Sequence, residues 1–282
     1  NTYRNIRIIP RPGTTRLVAG IADGIHVTDS AVGPLIENST FRAMMDDAIN
    51  VHASFAPVLS TDVETNMTGQ NATSTVVIGA RGVAPIAPFV KSGRTTSVDF
   101  FRRVTADKTY YTYSKDASDY EYVGSRSITS IGSEIPSATV LAKIAAPRLW
   151  NHFWTDSNGN GMYTASSGTA FKFGLSSPIL LSDPMVAVFN HHGSGSIIRN
   201  NVFENMAVRG IVYQANTGKI YGNKFAGTKG PAVIIGTMPS WNEGPYARNV
   251  EMTGNEFCYR FKEANLAVQL RLLKGQPVSE LS

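Results

Sequence analysis

Apolar residues alternate with polar ones in short bursts along this chain, and the bursts recur. In Asp23-Gly24-Ile25-His26-Val27 the isoleucine and valine face one way and the histidine the other. Asp47-Ala48-Ile49-Asn50-Val51 repeats the phrase 24 residues later. It returns as Arg209-Gly210-Ile211-Val212-Tyr213 and as Pro231-Ala232-Val233-Ile234-Ile235. A second phrase interleaves with it: Ile36-Glu37-Asn38-Ser39-Thr40-Phe41, Ile198-Arg199-Asn200-Asn201-Val202-Phe203, Tyr221-Gly222-Asn223-Lys224-Phe225 and Thr253-Gly254-Asn255-Glu256-Phe257. Alternation with a period of two predicts strands with one buried face. A fixed repeat in the low twenties predicts a stacked solenoid. With three short strands per coil, the expected fold is all-β, a right-handed parallel β-helix.

Laid in one column, the leading positions fall at 23, 47, 185, 209 and 231, so that Met185-Val186-Ala187-Val188 reads as a return to the helix. The large step between 47 and 185 predicts an inserted β-rich subdomain, a small barrel or sandwich. Residues 1–55 are then the first part of the helix, 56–181 the insertion, and 182–282 the second part. Asn201, Asn223 and Asn255 are expected at αL turns between strands with their amides stacked, above a column of phenylalanines. A shorter insertion between Gly236 and Val250 carries Trp241 to Pro245. Glu263 to Leu273 reads as a strand or short helix closing the far end. Asn5 to Ile9 already reads as mid-coil, which predicts a missing preceding segment, or a partner such as a second copy, over the near end.

Composition narrows the classes. Of 282 residues, 42% are hydrophobic and 17% charged, with 25 glycines and 14 prolines, which suits a turn-rich β protein. No stretch is long and apolar enough to predict a membrane span. Cys258 is the single cysteine, so no internal disulfide framework exists. The net charge of +5 is either an ordinary basic surface or an attraction to an anionic polysaccharide. Nucleic acid is not expected, because no basic run interleaves with aromatics.

Candidate chemistry lies in the acids of the repeated phrase. Asp46 and Asp47 are consecutive, and Asp23 stands one coil earlier in register with Asp47. Adjacent coils are about 4.8 Å apart, so the three carboxyl groups are expected to meet. Like charges that close push at least one pKa up, giving a protonated acid beside an ionised base, the pair glycoside hydrolysis needs. The alternative is structural, because aspartates often cap backbone amides at turns. Strict alternation would also turn Asp23 and Asp47 inward, so a bend must precede the strand. His26, Asn50, His52 and Arg209 are expected to line a sugar-binding groove floor, with Trp241 and Glu243 as its wall. No metal or cofactor is expected. Asp156 to Gly161 resembles the start of a calcium loop, but its twelfth position is Ser167. His191-His192 lack a third ligand at metal spacing.

Asp23-Gly24-Ile25-His26, Ile36 to Phe41 and Met45 to His52 resemble the catalytic coils of glycoside hydrolase family 110, the inverting exo-acting α-1,3-galactosidases. Arg199 to Phe225 and Trp241 to Phe257 are similar to these and related β-helix proteins. The resemblance covers about half the chain. It implies a right-handed β-helix interrupted by a small barrel, and it maps Asp23, Asp46 and Asp47 onto the family acids, with acid and base unassigned among them. Polygalacturonases of family 28 are a more distant resemblance, and their Gly-His-Gly and Arg-Ile-Lys motifs are absent. The expected protein is a secreted or periplasmic inverting glycosidase that removes a terminal α-linked galactose from a carbohydrate partner. The competing classes are a non-catalytic carbohydrate-binding, adhesin or tailspike-like β-helix, and a polysaccharide lyase.

Overall fold

A computed structural model describes residues 1–54, 56–65, 71–79, 97–103, 120–134, 170–180, 185–189, 191–238, 243–244, 247–258 and 266–271. These residues are all-β: they form strands, turns and bends, with no helix among them. Most strands are parallel and lie in three stacked sheets, an arrangement compatible with a parallel β-helix.

Each sheet takes one strand from each of five rungs. The first sheet runs Thr2–Arg4, Leu35–Glu37, Ile197–Arg199, Gly218–Tyr221 and Val250–Thr253. The second runs Arg7–Ile8, Thr40–Arg42, Val202–Met206, Lys224–Thr228 and Glu256–Cys258. In the third, Ile25–Thr28, Ile49–Ser54, Ile211–Tyr213, Val233–Gly236 and Val268–Arg271 follow one another. The stretch expected to close the far end therefore supplies the last strand of this sheet.

The core explains the repeated phrases. Ile25, Ile49, Ile211, Val233 and Val268 are paired in register, and the first four are buried. Phe41, Phe203, Phe225 and Phe257 stack almost parallel, with centroids 5.3, 4.7 and 5.1 Å apart. Such pairs contribute about 0.5–1.5 kcal/mol each beyond their buried area. Beside them the Asn201 amide donates to Asn223 Oδ1 and the Asn223 amide to Asn255 Oδ1, both at 3.0 Å. The left-handed turn falls one place earlier than expected, at Asn38, Asn200, Gly222 and Gly254, whose φ angles are 53°, 55°, 64° and 60°. The ladder asparagines are thus free to hold the rungs together while their neighbours make the turn.

The small second letter of the first phrase also has a cause. A Cβ on Gly210 would stand 2.6 Å from the Phe225 ring and 2.8 Å from the Ala232 carbonyl oxygen. At Gly24 it would stand 2.7 Å from the Ala48 carbonyl oxygen.

Six further strands, all between the second and third rungs in sequence, close into a barrel. Their order is Tyr120–Glu134, Ala170–Ile179, Asn71–Gly79, Ala56–Thr65, Met185–Phe189 and Ser97–Arg103. Every pairing described within it is antiparallel. This corrects the reading of Met185 as a rung position. Met185–Phe189 pairs with Ser97–Arg103 in the barrel, while Ile211 pairs directly with Ile49. Arg209 is therefore on the rung immediately after Asp47, although 162 residues separate them. An alternating apolar strand reads alike in a barrel and in a rung, which is why the sequence column accepted it.

Candidate functional site

The leading residues of the phrase sit on the bend that enters the third sheet. Asp23 and Asp47 precede strands Ile25–Thr28 and Ile49–Ser54 by two residues. The backbone ladder already holds them there: Gly24 N–H donates to the Asp47 carbonyl at 2.9 Å, and Ala48 N–H to that of Arg209 at 3.4 Å. Outside the regular strand, side-chain alternation no longer binds, and the acids turn away from the core.

They open onto a cavity of about 220 Å³ lined by Ala22, Asp23, His26, Asp46, Asp47, Asn50, Arg209, Met238 and Glu243. Binding pockets for drug-sized molecules are about 300–1,000 Å³, so this one has the scale of a single small polar ligand. One carboxylate oxygen from each of Asp23, Asp46 and Asp47 lies within 4.8 Å of the other two. Arg209 Nε donates to Asp47 Oδ1 at 2.5 Å, and its Nη2 lies 3.4 Å from Asp46 Oδ1. Asn50 Nδ2 donates to Asp23 Oδ2 at 3.3 Å. The acids differ in access: the side chain of Asp46 is 46% exposed and that of Asp47 only 3%.

Burial pushes the Asp47 carboxyl up to about 7, and the nearby charges of Asp23 and Asp46 add to the rise against the pull of Arg209. Asp23 is raised by burial and by Asp46, with His26 and Asn50 opposing. Burial also raises Glu243, against a hydrogen bond from Gln214. Arg271, on the fifth rung, is lowered by burial and by the like charge of Arg209.

On the outward face of the third sheet, His26 pairs in register with Asn50, and Thr28 with His52. His26 stays half exposed, whereas Asn50 and His52 are both 4% exposed. Glu243–Gly244 pairs antiparallel with Ala53–Ser54 and helps to cover them. Gln214 fixes Glu243, donating from Nε2 to Glu243 Oε2 at 2.7 Å while its own Oε1 accepts from Met238 N–H at 2.8 Å.

All the residues expected at the site therefore converge except Trp241, which lies outside the described residues, as does the Asp156 to Gly161 segment. His191 and His192 stand elsewhere, with His192 Nδ1 3.5 Å from Asp29 Oδ1. Met238, Gln214 and Thr28 were not anticipated. A signal for two of them existed: Thr28, His52 and Gln214 share one outward column once the rungs are in register. Two groups carry enough donor atoms to hold a cation, namely the three aspartates, and His26 with His52 and Glu243. No protein-family model matches the chain, and no curated protein is significantly similar to it.

Proposed function

We propose that this chain is a glycoside hydrolase that removes a terminal α-linked galactose, built on a right-handed parallel β-helix with an inserted small β-barrel. The observation that carries the reading is the convergence of Asp23, Asp46 and Asp47 on one open cavity, with two of the three carboxyls held high by burial. Such a group supplies a protonated acid next to a carboxylate base. Asp23 or Asp47 donates the proton to the leaving oxygen. Asp46, open to solvent, engages the attacking water. His26, Asn50 and Glu243 accept or donate to sugar hydroxyls. The resemblance to family 110 supports galactose, inversion and a secreted or periplasmic setting.

The spacing bears on the stereochemistry. Inverting pairs stand roughly 6.5–9.5 Å apart and retaining pairs roughly 5–5.5 Å. Oxygens of the trio approach within 4.8 Å, so hydrolysis has better support than inversion. A second reading, a sugar-binding module without turnover, is favoured by the buried Asp47–Arg209 ion pair, which looks architectural. The test is a screen of α- and β-galactosides for released galactose, with NMR of the first anomer formed, on the wild type, Asp23→Asn and Asp47→Asn. Release by the wild type is expected, with a loss of at least 100-fold in Asp23→Asn if Asp23 is the acid, or in Asp47→Asn if Asp47 is. Saturable sugar binding with no release would establish the second reading instead.

A further inference from the structure

His26, His52 and Glu243 form a close group, to which the acid–base reading gives only sugar contacts at His26 and Glu243 and no role at His52. His26 Nε2 and His52 Nε2 face one another at 2.5 Å, and Glu243 Oε1 lies 3.5 Å from His52 Nε2. The other ring nitrogens are committed elsewhere. His52 Nδ1 lies 3.1 Å from the Ala53 carbonyl oxygen, which can only accept, so His52 carries its proton on Nδ1. His26 Nδ1 faces Asp23 Oδ2 at 3.5 Å, which favours the same tautomer. Two Nε2 lone pairs then point at each other. Thr28 Oγ1 lies 2.6 Å from His52 Nε2 and 3.3 Å from His26 Nε2. With Glu243, one ligand atom from each of the three side chains lies within 4.8 Å of the other two, so three donors converge on one point.

We propose that His26, His52 and Glu243 bind a divalent transition-metal ion of the zinc type. Two imidazoles and one carboxylate are the donor set of open, three-ligand zinc sites, and nitrogen donors disfavour calcium and magnesium. The supporting contacts are in place for all three ligands: Asp23 for His26, the Ala53 carbonyl for His52, and Gln214 for Glu243. Outer partners of this kind orient ligands and fix their tautomers. Nitrogens bound to one tetrahedral ion at about 2.0–2.1 Å stand about 3.3 Å apart, so the rings must part by a little under about 1 Å. His26 is half exposed and free to make that movement. Two of the three ligands, His26 and Glu243, also line the cavity. The inference does not depend on glycosidase activity.

The experiment uses the full chain, stripped with EDTA and titrated with Zn²⁺ by calorimetry, with Co²⁺ as a spectroscopic probe. One Zn²⁺ per chain and the visible absorption of tetrahedral Co²⁺ are expected. His26→Gln, His52→Gln and Glu243→Gln should each weaken Zn²⁺ binding at least 10-fold. The half-exposed His26 keeps the test valid if a buried variant fails to fold. Lack of uptake by the wild type would overturn the site, leaving a proton-bridged histidine pair. So would uptake that Asp46→Asn weakens and His26→Gln does not, which would move the ion to the aspartates.

Discussion

On the proposed mechanism Asp47 has two roles, ion-pair partner of Arg209 and candidate acid, that one substitution can separate. Asp47→Asn keeps the shape of the side chain but cannot donate a proton as an acid. On the proposed mechanism turnover falls by about 10²–10⁴-fold, the usual contribution of a general acid or base. Thermal midpoints of variant and wild type should differ by only a few degrees, because the amide still accepts from Arg209 Nε. The pH dependence follows from the direction of the shift. A carboxyl raised to about 7 in the folded chain binds its proton more tightly there than in the unfolded chain. Its contribution to stability is full below about pH 4 and is lost as pH rises through about 7. The wild type should therefore lose thermal stability relative to Asp47→Asn across that interval, as differential scanning calorimetry at several pH values would show. If Asp47 is the acid, turnover falls over the same upper limb. The aspartates were legible in the sequence because they share a column. The bend that turns them outward was not, because it depends on where the strand starts, a boundary that alternation alone does not mark. Gln214 escaped notice because its role arises only when Glu243 is folded against it.

Among the elements, the turn between the first and second sheets shows how sequence and structure divide labour. Asn223 satisfies four groups at once, since its Oδ1 accepts from Asn201 N–H and the Asn201 amide, and its Nδ2 donates to Ile198 O and Asn255 Oδ1. Asn223→Ala leaves buried polar groups on two rungs without these partners, each at a cost of about 1–3 kcal/mol. Urea denaturation should show a loss of at least about 2 kcal/mol, approaching the about 3–5 kcal/mol of truncating a buried phenylalanine. Gly210→Val is expected to be worse, because the new side chain meets the Phe225 ring and a backbone carbonyl, and neither can retreat. Poor recovery of soluble protein, or a strongly lowered thermal midpoint, would show it. These ladders were readable in advance because every copy sits at the same offset from its phenylalanine. The position of the left-handed residue was missed by one, since asparagine occupies both places at 200 and 201 and only the backbone distinguishes them.

In the molecule as a whole, the barrel and the stacked sheets are joined by a buried ion pair. Asp99, on a barrel strand and fully buried, accepts from Arg248 Nη2 at 3.1 and 3.3 Å, and Tyr122 Oη lies 3.2 Å from the same nitrogen. Arg248→Met removes the cation and leaves a buried carboxylate behind. Breaking such pairs typically costs about 3–5 kcal/mol. Calorimetry should then show an unfolding transition in the variant that is broader than that of the wild type or split in two. The all-β class and the stacking were evident from the phrases alone. The extent of the interruption was not, because Met185–Phe189 has the alternation of a rung strand and only its antiparallel neighbours reveal where it belongs.

The 162 residues between Asp47 and Arg209 have a consequence for how the chain is made. A ribosome adding about 5–20 residues per second needs roughly 8–30 s to go from the first residue to the second. During that interval the second rung waits with the edge that will meet the third rung unpaired, and Asp47 without its arginine. Closing so long a loop is entropically costly until the barrel has drawn its ends together. The intervening chain thus sets a delay in synthesis between the two halves of the cavity lining, Ala22 to Asn50 before it and Arg209 to Glu243 after it.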